Sequence, residues 1–596
     1  MVYVLSIEKV LRQLKHAFNS NQVMITETVR VRPKHTKNHT QWDLGRSWWR
    51  MIKPLYTRQN QLITVLIIVL LITNACYVYL NYQLNRWTEI FFDALQQKNQ
   101  ILFYTNIKNF LLLVLAIAIL FIGKELLQQI LQFRWRINLS RYTVRQWLKN
   151  AAFFKIYLTC DKIDNPDQRI SEDIASFTQI IVDLSINLFT QLMSLTVFGA
   201  ILWHLSPTIT YHIGSYTITI YGYIFWLTLV FSIVTNWVTY RFGKPLVALD
   251  FSQEQLEAKM RSHLLRVIEY RESIAQMQGE DSEIDYFNNN LIQLWYNFKK
   301  RMHYKIHVLF SLNLLSNMTS MLPYVASAPA FFTGIITLGT LYRIGHAYLY
   351  VQQAMMFVAQ QTLTLTQLKA VKLRLDGLDQ TIAQVQQQKM ANCILQRQKQ
   401  AILTVQNVTI YSPKFTQIAK FNFHVKVREK KLLMGPSGSG KSILLHVLQG
   451  NWPYAKGKII RPHQLKVIPQ ALYFPVATLR QVLLYSQPND TADTKLQLWL
   501  EEFLLEHLIG RLNEVNDWHH ELSIGEQRCL NLVRACAAKS ELMIMDEPVA
   551  GMDKGLAETV YQHFLACMDH ATVLTICHSL ELVNLHHSVI SNPCSL

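Results

Sequence analysis

An α-helical transmembrane domain of six spans, followed by an α/β P-loop nucleotide-binding domain, is the architecture expected of this 596-residue chain. Three features lead there. Long apolar runs dominate the part before Leu368. Hydrophobic residues make up 50% of the chain and charged residues only 16%, against about 25% charged in soluble domains. Gly435–Ser442 has the phosphate-cradling pattern GxxxxGKS between a short apolar strand and a helix. With a mean hydropathy of +0.11, this composition excludes intrinsic disorder and a wholly soluble enzyme. At roughly 150 residues per domain the length also excludes a small binding module.

Residues 1–41 read as an N-terminal cytoplasmic extension, 42–395 as the membrane domain and 396–596 as the nucleotide-binding domain. Met1–Phe18 mixes Glu8, Lys9, Arg12 and Lys15 with Leu and Val, the pattern of a short amphipathic helix and not of a signal peptide. Trp48, Trp49 and Tyr56 among Arg46, Arg50 and Lys53 suggest a helix lying at the membrane interface. A spanning helix needs about 20 mostly apolar residues. Leu62–Leu80, Ile107–Ile122, Ile186–Leu205 and Ile218–Tyr240 supply four spans. Val308–Leu341, expected to be broken by Pro323 and Pro329, and Ala347–Leu368 supply two more.

Charge orients these spans. Arg134, Arg136, Arg141, Arg145, Lys149 and Lys155 lie between the second and third. Arg241, Lys244, Arg261, Arg266, Lys299, Lys300 and Arg301 lie between the fourth and fifth, whereas Ser206–Thr217 has no charge. The excess of Lys and Arg in cytoplasmic loops therefore places the basic segments and both termini in the cytoplasm. It accounts for much of the +18 net charge. No stacking-aromatic or groove-reading motif accompanies that charge, so nucleic acid is not an expected partner. The eight cysteines are scattered without a CxxC pair, as suits a reducing cytoplasm better than a disulfide framework or zinc site. Both basic segments have helical periodicity, so spans two to five are expected to continue beyond the bilayer. Polar groups in spans usually face a bundle interior or a wet cavity. Asn74, His204, Asn313, Asn317, Arg343 and His346 are such groups, and a hydrated cavity lined partly by Asn313, Asn317 and Arg343 is expected.

From about Leu403 the texture changes to short β-rich runs alternating with helices. The apolar strand Lys431–Met434 runs into Gly435, Pro436, Ser437, Gly438, Ser439, Gly440, Lys441 and Ser442, then into a helix from Ile443. The glycines let backbone N–H groups curl around a phosphate, and the helix start adds partial positive charge. Lys441 can reach the β- and γ-phosphates of ATP, and the Ser442 hydroxyl can ligate Mg²⁺. A second apolar strand, Leu542–Met545, ends in Asp546 and Glu547. Asp546 can hold the Mg²⁺ shell, and Glu547 can polarise an attacking water.

Between them, Leu522-Ser523-Ile524-Gly525-Glu526-Gln527 resembles the LSGGQ signature of ATP-binding cassette (ABC) ATPases. Further matches follow in that family's order. Gln470 stands where the Q-loop glutamine lies, Ala550–Asp553 resembles the D-loop, and His578 occupies the switch-histidine position. The resemblance implies an ABC exporter-type membrane fold. It implies Gln470 beside Ser442 and Asp546 as Mg²⁺ ligands, His578 as a catalytic partner of Glu547, and Ser523, Gly525 and Glu526 as the surface offered to a nucleotide held by a second cassette. Ile524 departs from the pattern in place of a glycine, as do Arg528 and Cys529 in place of Gln-Arg. Tyr411 is the nearest candidate for stacking on adenine.

One membrane domain with one cassette makes a half-transporter, whose working unit is expected to be a homodimer. Asn451–Gly457 after the P-loop resembles the peroxisomal fatty-acyl (subfamily D) transporters and their bacterial relatives. Asn85–Lys98, Asn165–Ile170 and Leu322–Pro329 look like the bacterial branch, and Glu272–Glu280 is similar to the EAA-like loop that docks on a cassette. The whole is similar to the bacterial vitamin B12/bleomycin/antimicrobial-peptide transporter family. That implies a multi-pass inner-membrane protein, in contact with lipid, that takes up a hydrophilic small molecule or peptide. An exporter of acyl-lipid or drug-like cargo is the alternative, and a membrane gate with a poorly hydrolysing cassette is a reading of another class.

Overall fold

The computed structural model describes residue 51 and residues 61–591, apart from 159–164, 214–215, 388–391, 399–401, 414, 437, 486, 488–490, 539 and 579–581. The expected amphipathic and interfacial helices before residue 60 lie outside the described residues, apart from Met51.

The membrane half is built from long helices because apolar sequence in a bilayer must satisfy every backbone N–H and C=O internally. They are α1 (Gln61–Gln96), α2 (Gln100–Leu148), the short α3 (Ala152–Leu158) and α4 (Ile174–Leu205). A hairpin follows, β1 (Ile209–Ile213) with β2 (Tyr216–Ile220), then α5 (Tyr223–Glu269), the short α6 (Arg271–Met277) and α7 (Glu280–Phe332). The half ends with α8 (Leu338–Gln360) and α9 (Thr362–Gln387). The expected continuation of helices past the apolar runs is evident in α2, α5 and α7, which have 49, 47 and 53 residues.

Among the described residues four helical segments are long and apolar enough to cross a membrane: Gln61–Gln96, Gln100–Leu158, Pro166–Leu205 and Tyr223–Glu269. The runs assigned to spans five and six are helical in α7 and α8, but Asn, Ser and Gln keep them below that standard of hydropathy. Three expectations about their limits need correcting. The fourth run does not begin as helix at Ile218, because β-branched residues on either side of Gly214-Ser215 pair as β1 and β2. The fifth is not broken at Pro323 or Pro329. Both sit inside α7, Pro323 buried and Pro329 exposed, and the helix continues through them. The helix stops instead at Phe332, just before Gly334 takes a φ of +75°. The sixth does not run unbroken to Leu368, since α8 ends at Gln360.

Polar side chains tie the membrane helices together. Asn74 Oδ1 accepts from Thr190 Oγ1 (2.8 Å), Asn81 Oδ1 from Tyr350 Oη (2.9 Å), and Thr319 Oγ1 from Gln352 Nε2 (2.6 Å). Arg343, expected to line a hydrated cavity, pairs through its guanidinium with Glu89 at 2.5 Å and is largely buried. Asn313 and Asn317 are exposed on α7, bonded to each other at 2.6 Å.

Besides a two-stranded pairing of Ala477–Thr478 with Val515–Asn516, the described residues of the second half form a cassette of two sheets. One is four-stranded, in the order β3 (Asn392–Gln398), β7 (Ala455–Pro462), β4 (Leu403–Tyr411), β5 (Gln417–Val425). It begins at Asn392, before the expected boundary at 396. The other is five-stranded and parallel, in the order β11 (Ser588–Ser591), β6 (Lys430–Met434), β10 (Thr572–Ile576), β9 (Leu542–Asp546), β8 (Leu465–Ile468). β9 and β10 are buried at every residue, the near-continuous apolar pattern of a parallel sheet covered on both faces.

Candidate functional site

Parallel strands with crossover connections gather their C-terminal ends on one edge, where ligands bind in open α/β sheets. β6 delivers the P-loop to that edge, β8 delivers Gln470, β9 delivers Asp546 and Glu547, and β10 delivers His578. The sheet thus brings together four segments spread over more than a hundred residues of chain.

The P-loop turns through Gly438 (φ +81°) and Gly440 (φ +80°). At Gly440 a Cβ would stand 3.0 Å from Ala419 Cβ, so a side chain there would be both strained and crowded. α10 (Lys441–Gln449) starts directly behind it. Lys441 is buried, and its Nζ donates to the Gly435 and Pro436 carbonyls (2.7 and 2.8 Å) and to Ser439 Oγ (3.2 Å). Its ammonium therefore lies within the curl of the loop. Ser437 lies outside the described residues.

Ser442 donates its hydroxyl to the Asp546 carboxylate, whose pKa is pushed up by burial while Ser442 and Lys441 oppose the rise. Glu547 leaves the strand with a left-handed φ of +47°, while its N–H still bonds to Ile576 O at 2.8 Å. This turn swings the carboxylate between two partners. Glu547 Oε2 accepts from Gln470 Nε2 (2.7 Å), and Oε1 lies 3.1 Å from His578 Nε2. Hard oxygen donors from Ser442, Asp546 and Gln470 suit a small divalent cation such as Mg²⁺, which takes few protein ligands and completes its shell with phosphate and water.

The signature segment stands apart from this group. Ser523 caps α11 (Ile524–Ala537) in a reciprocal capping box with Glu526, and those bonds draw the Glu526 carboxyl below its usual range. Ser523 and Ile524 are exposed, and none of the bonds of Ser523 or Glu526 reaches a described residue of the P-loop. Gly525 has open space around it. Gly551 of the D-loop-like segment approaches Ile524, since a Cβ on Gly551 would lie 3.8 Å from Ile524 Cγ2.

Several contributors are not legible from motifs. Arg528 Nη1 donates to the Gln470 carbonyl at 2.8 Å, so the residue that breaks the signature pattern tethers the Q-loop. Burial pushes the Cys529 thiol up to about 11, which leaves it unreactive. Tyr411 is half-covered, with Lys456 over its ring at 5.4 Å. Phe415 presents a far more exposed ring (75%), just before β5 whose Ile418 and Ala419 abut Gly440. Phe154 of α3 stacks on His446 of α10 at 4.5 Å, and Leu158 packs on the cassette core. By contrast Arg271–Met277, from the EAA-like segment, is largely exposed, with Met277 at 81%.

Comparison with known proteins agrees with this geometry. Residues 51–332 match the family described as ABC transporter transmembrane region 2, and residues 418–550 match the family described as ABC transporter. The inner membrane ABC transporter ATP-binding protein YddA of Escherichia coli strain K12 is 27% identical over 539 residues, covering 90% of this chain and 95% of that protein. An uncharacterized ABC transporter ATP-binding protein of Synechocystis is 28% identical, covering 89% and 79%. The chloroplastic ABC transporter D family member 2 of Arabidopsis thaliana is 25% identical, covering 84% and 79%.

Proposed function

The chain belongs to the ABC transporters with fused membrane and ATP-binding regions, and we propose that it works as a homodimeric importer of hydrophilic solutes in a bacterial inner membrane. ATP binding and hydrolysis drive its transport. The observation that carries the catalytic part is the Glu547 carboxylate, held between Gln470 and His578 beside the P-loop.

In this reading the Gly435–Ser442 backbone and Lys441 hold the phosphates, and Glu547 takes the proton of the attacking water. His578 orients that carboxylate. Mg²⁺, held by Ser442, Asp546 and Gln470, would neutralise charge on the phosphates. Ser523, Gly525 and Glu526 complete the site of a second copy. Six spans place both termini in the cytoplasm.

The exposed Asn313–Asn317 pair supports a polar cargo, because such groups are costly against lipid and suit a wet path. Cobalamin or a peptide fits that path. A second reading, export of an amphipathic cargo, draws on a largely apolar cavity of about 480 Å³ lined by Lys244, Leu246, Val308, Leu312 and Met356. Right-side-out and inside-out vesicles separate the two. Labelled cobalamin or peptide should accumulate in right-side-out vesicles loaded with ATP and remain outside when Lys441→Ala replaces the native chain. ATP-driven accumulation only in inside-out vesicles would contradict import.

The Phe154–His446 stack links the P-loop helix to the membrane helices, since His446 lies one turn beyond Ser442. An aromatic pair of this kind contributes about 0.5–1.5 kcal/mol. Phe154→Ala is therefore expected to lower transport per ATP by roughly two- to tenfold while ATP affinity changes less than about twofold. Measuring both in one reconstituted preparation checks this, and equal loss of both would place the effect in the nucleotide site itself.

A further inference from the structure

The end of α1 remote from the cassette has two faces with different tasks. Along one face, Asp93 Oδ1 accepts from Gly339 N (2.8 Å), Gln96 Oε1 accepts from Leu338 N (2.8 Å), and Glu89 pairs with Arg343. This face clamps the start of α8. The other face turns Gln83, Arg86, Trp87 and Ile90 toward Asn106 and Asn109 of α2 across a cavity of about 460 Å³. That volume falls in the range of about 300–1,000 Å³ typical of small-molecule sites.

The donors in this cavity are unevenly used. Trp87 Nε1 is spent on Asn106 O (2.8 Å), Asn106 Nδ2 on Leu102 O (2.8 Å) and Gln83 Nε2 on Tyr79 Oη (2.7 Å). Arg86 makes no hydrogen bond or ion pair with any described residue, and no carboxylate lines the cavity. Arg86, a planar fork of N–H donors with a fixed charge, therefore lines an open groove together with Asn109. Such a fork matches an oxyanion in two parallel bonds.

Depth narrows the ligand. Asn106 is 42 residues from Leu148, so at about 1.5 Å per residue it lies roughly 60 Å along α2 from the cassette end. Trp87 stacks with Phe91 (4.8 Å) and lies against Phe110 (4.6 Å), the aromatic grouping of a membrane–water interface. Phosphate groups of lipid are concentrated at that level.

We propose that Arg86 and Asn109 form a binding site for a phosphate group at the membrane face remote from the cassette, carried by a lipid headgroup or free in solution. The proposal rests on the chain spanning a membrane, and not on the direction or cargo of transport. It gives the exposed Arg86 a ligand on the same helix that clamps α8.

Full-length protein in dodecyl maltoside, which has no phosphate, tests this with Ile90→Cys as reporter. Labelling at position 90 by a water-soluble maleimide is followed by peptide mass spectrometry. One arm adds dihexanoyl phosphatidylglycerol, another adds inorganic phosphate, and a third adds chloride at equal ionic strength. Phosphate-bearing probe should slow labelling severalfold over chloride. Protection by the lipid alone assigns the group to a headgroup, and protection by both assigns free phosphate as sufficient. Arg86→Gln should raise the concentration needed by about tenfold or more, as expected for a lost charge-assisted bond. Arg86→Lys keeps charge without the fork and should fall between. It carries the comparison if Arg86→Gln fails to elute as a folded species. Protection absent in both arms, or undiminished in a folded Arg86 variant, overturns the site. Release of the protein from membranes without detergent overturns the membrane reading and the site with it.

Discussion

Glu547→Gln should retain ATP binding and lose turnover by about 10²–10⁴-fold, the usual contribution of a positioned general base. The replacement keeps the length and planarity of the side chain and removes only its ability to take a proton. The native carboxylate accepts from Gln470 Nε2 and lies beside His578 Nε2, so its position is fixed from both sides. Its left-handed backbone (φ +47°) turns the chain as it leaves β9. Lys441 and the P-loop amides, the proposed phosphate-holding groups, follow β6 and begin α10 and are untouched. Steady-state ATPase and nucleotide affinity on the purified protein check both halves of this expectation. Turnover close to that of the native chain would remove Glu547 from the role of base.

The candidate site was legible where chemistry needs a residue type at a fixed spacing. Gly438 and Gly440 take positive φ, and Lys441 folds back onto the loop, so the spacing of GxxxxGKS carries backbone geometry as well as identity. Glu547 and His578 were legible through their place after apolar strands. Contacts without such a pattern were not. Arg528 looks like a defect in the signature, yet its guanidinium holds the Gln470 carbonyl, which only the fold brings near. Phe154 and His446 are almost 300 residues apart, and neither belongs to a motif.

The membrane half followed hydropathy well in its first three runs and less well afterwards. Composition identifies a stretch that lipid can solvate, but local backbone chemistry sets where the helix ends. The β-branched residues around Gly214-Ser215 form a hairpin at the start of an apolar run. Gly334 ends the helix where two prolines do not, because a proline within a helix forfeits one backbone hydrogen bond while a positive φ leaves the helix altogether. The pairing of Arg343 with Glu89 is invisible in the sequence, because only the fold brings α1 and α8 side by side.

Two mixed dimers reach the central claim, that ATP is hydrolysed in sites each built from two copies of this chain. The Ser523 segment is exposed and makes its bonds within its own cap, so it remains open to a partner's nucleotide. Lys441→Ala removes the ammonium proposed to hold phosphate, and Ser523→Arg places bulk and charge where the partner's nucleotide would sit. With Lys441→Ala in one chain and Ser523→Arg in the other, shared sites put both lesions in one site and leave the second intact. With both lesions in one chain and none in the other, each shared site carries one lesion. The measurement is ATPase of the two purified, differentially tagged mixtures, with the expectation that one intact site sustains hydrolysis. The account predicts activity in the first mixture and almost none in the second, whereas activity confined to the second would contradict it.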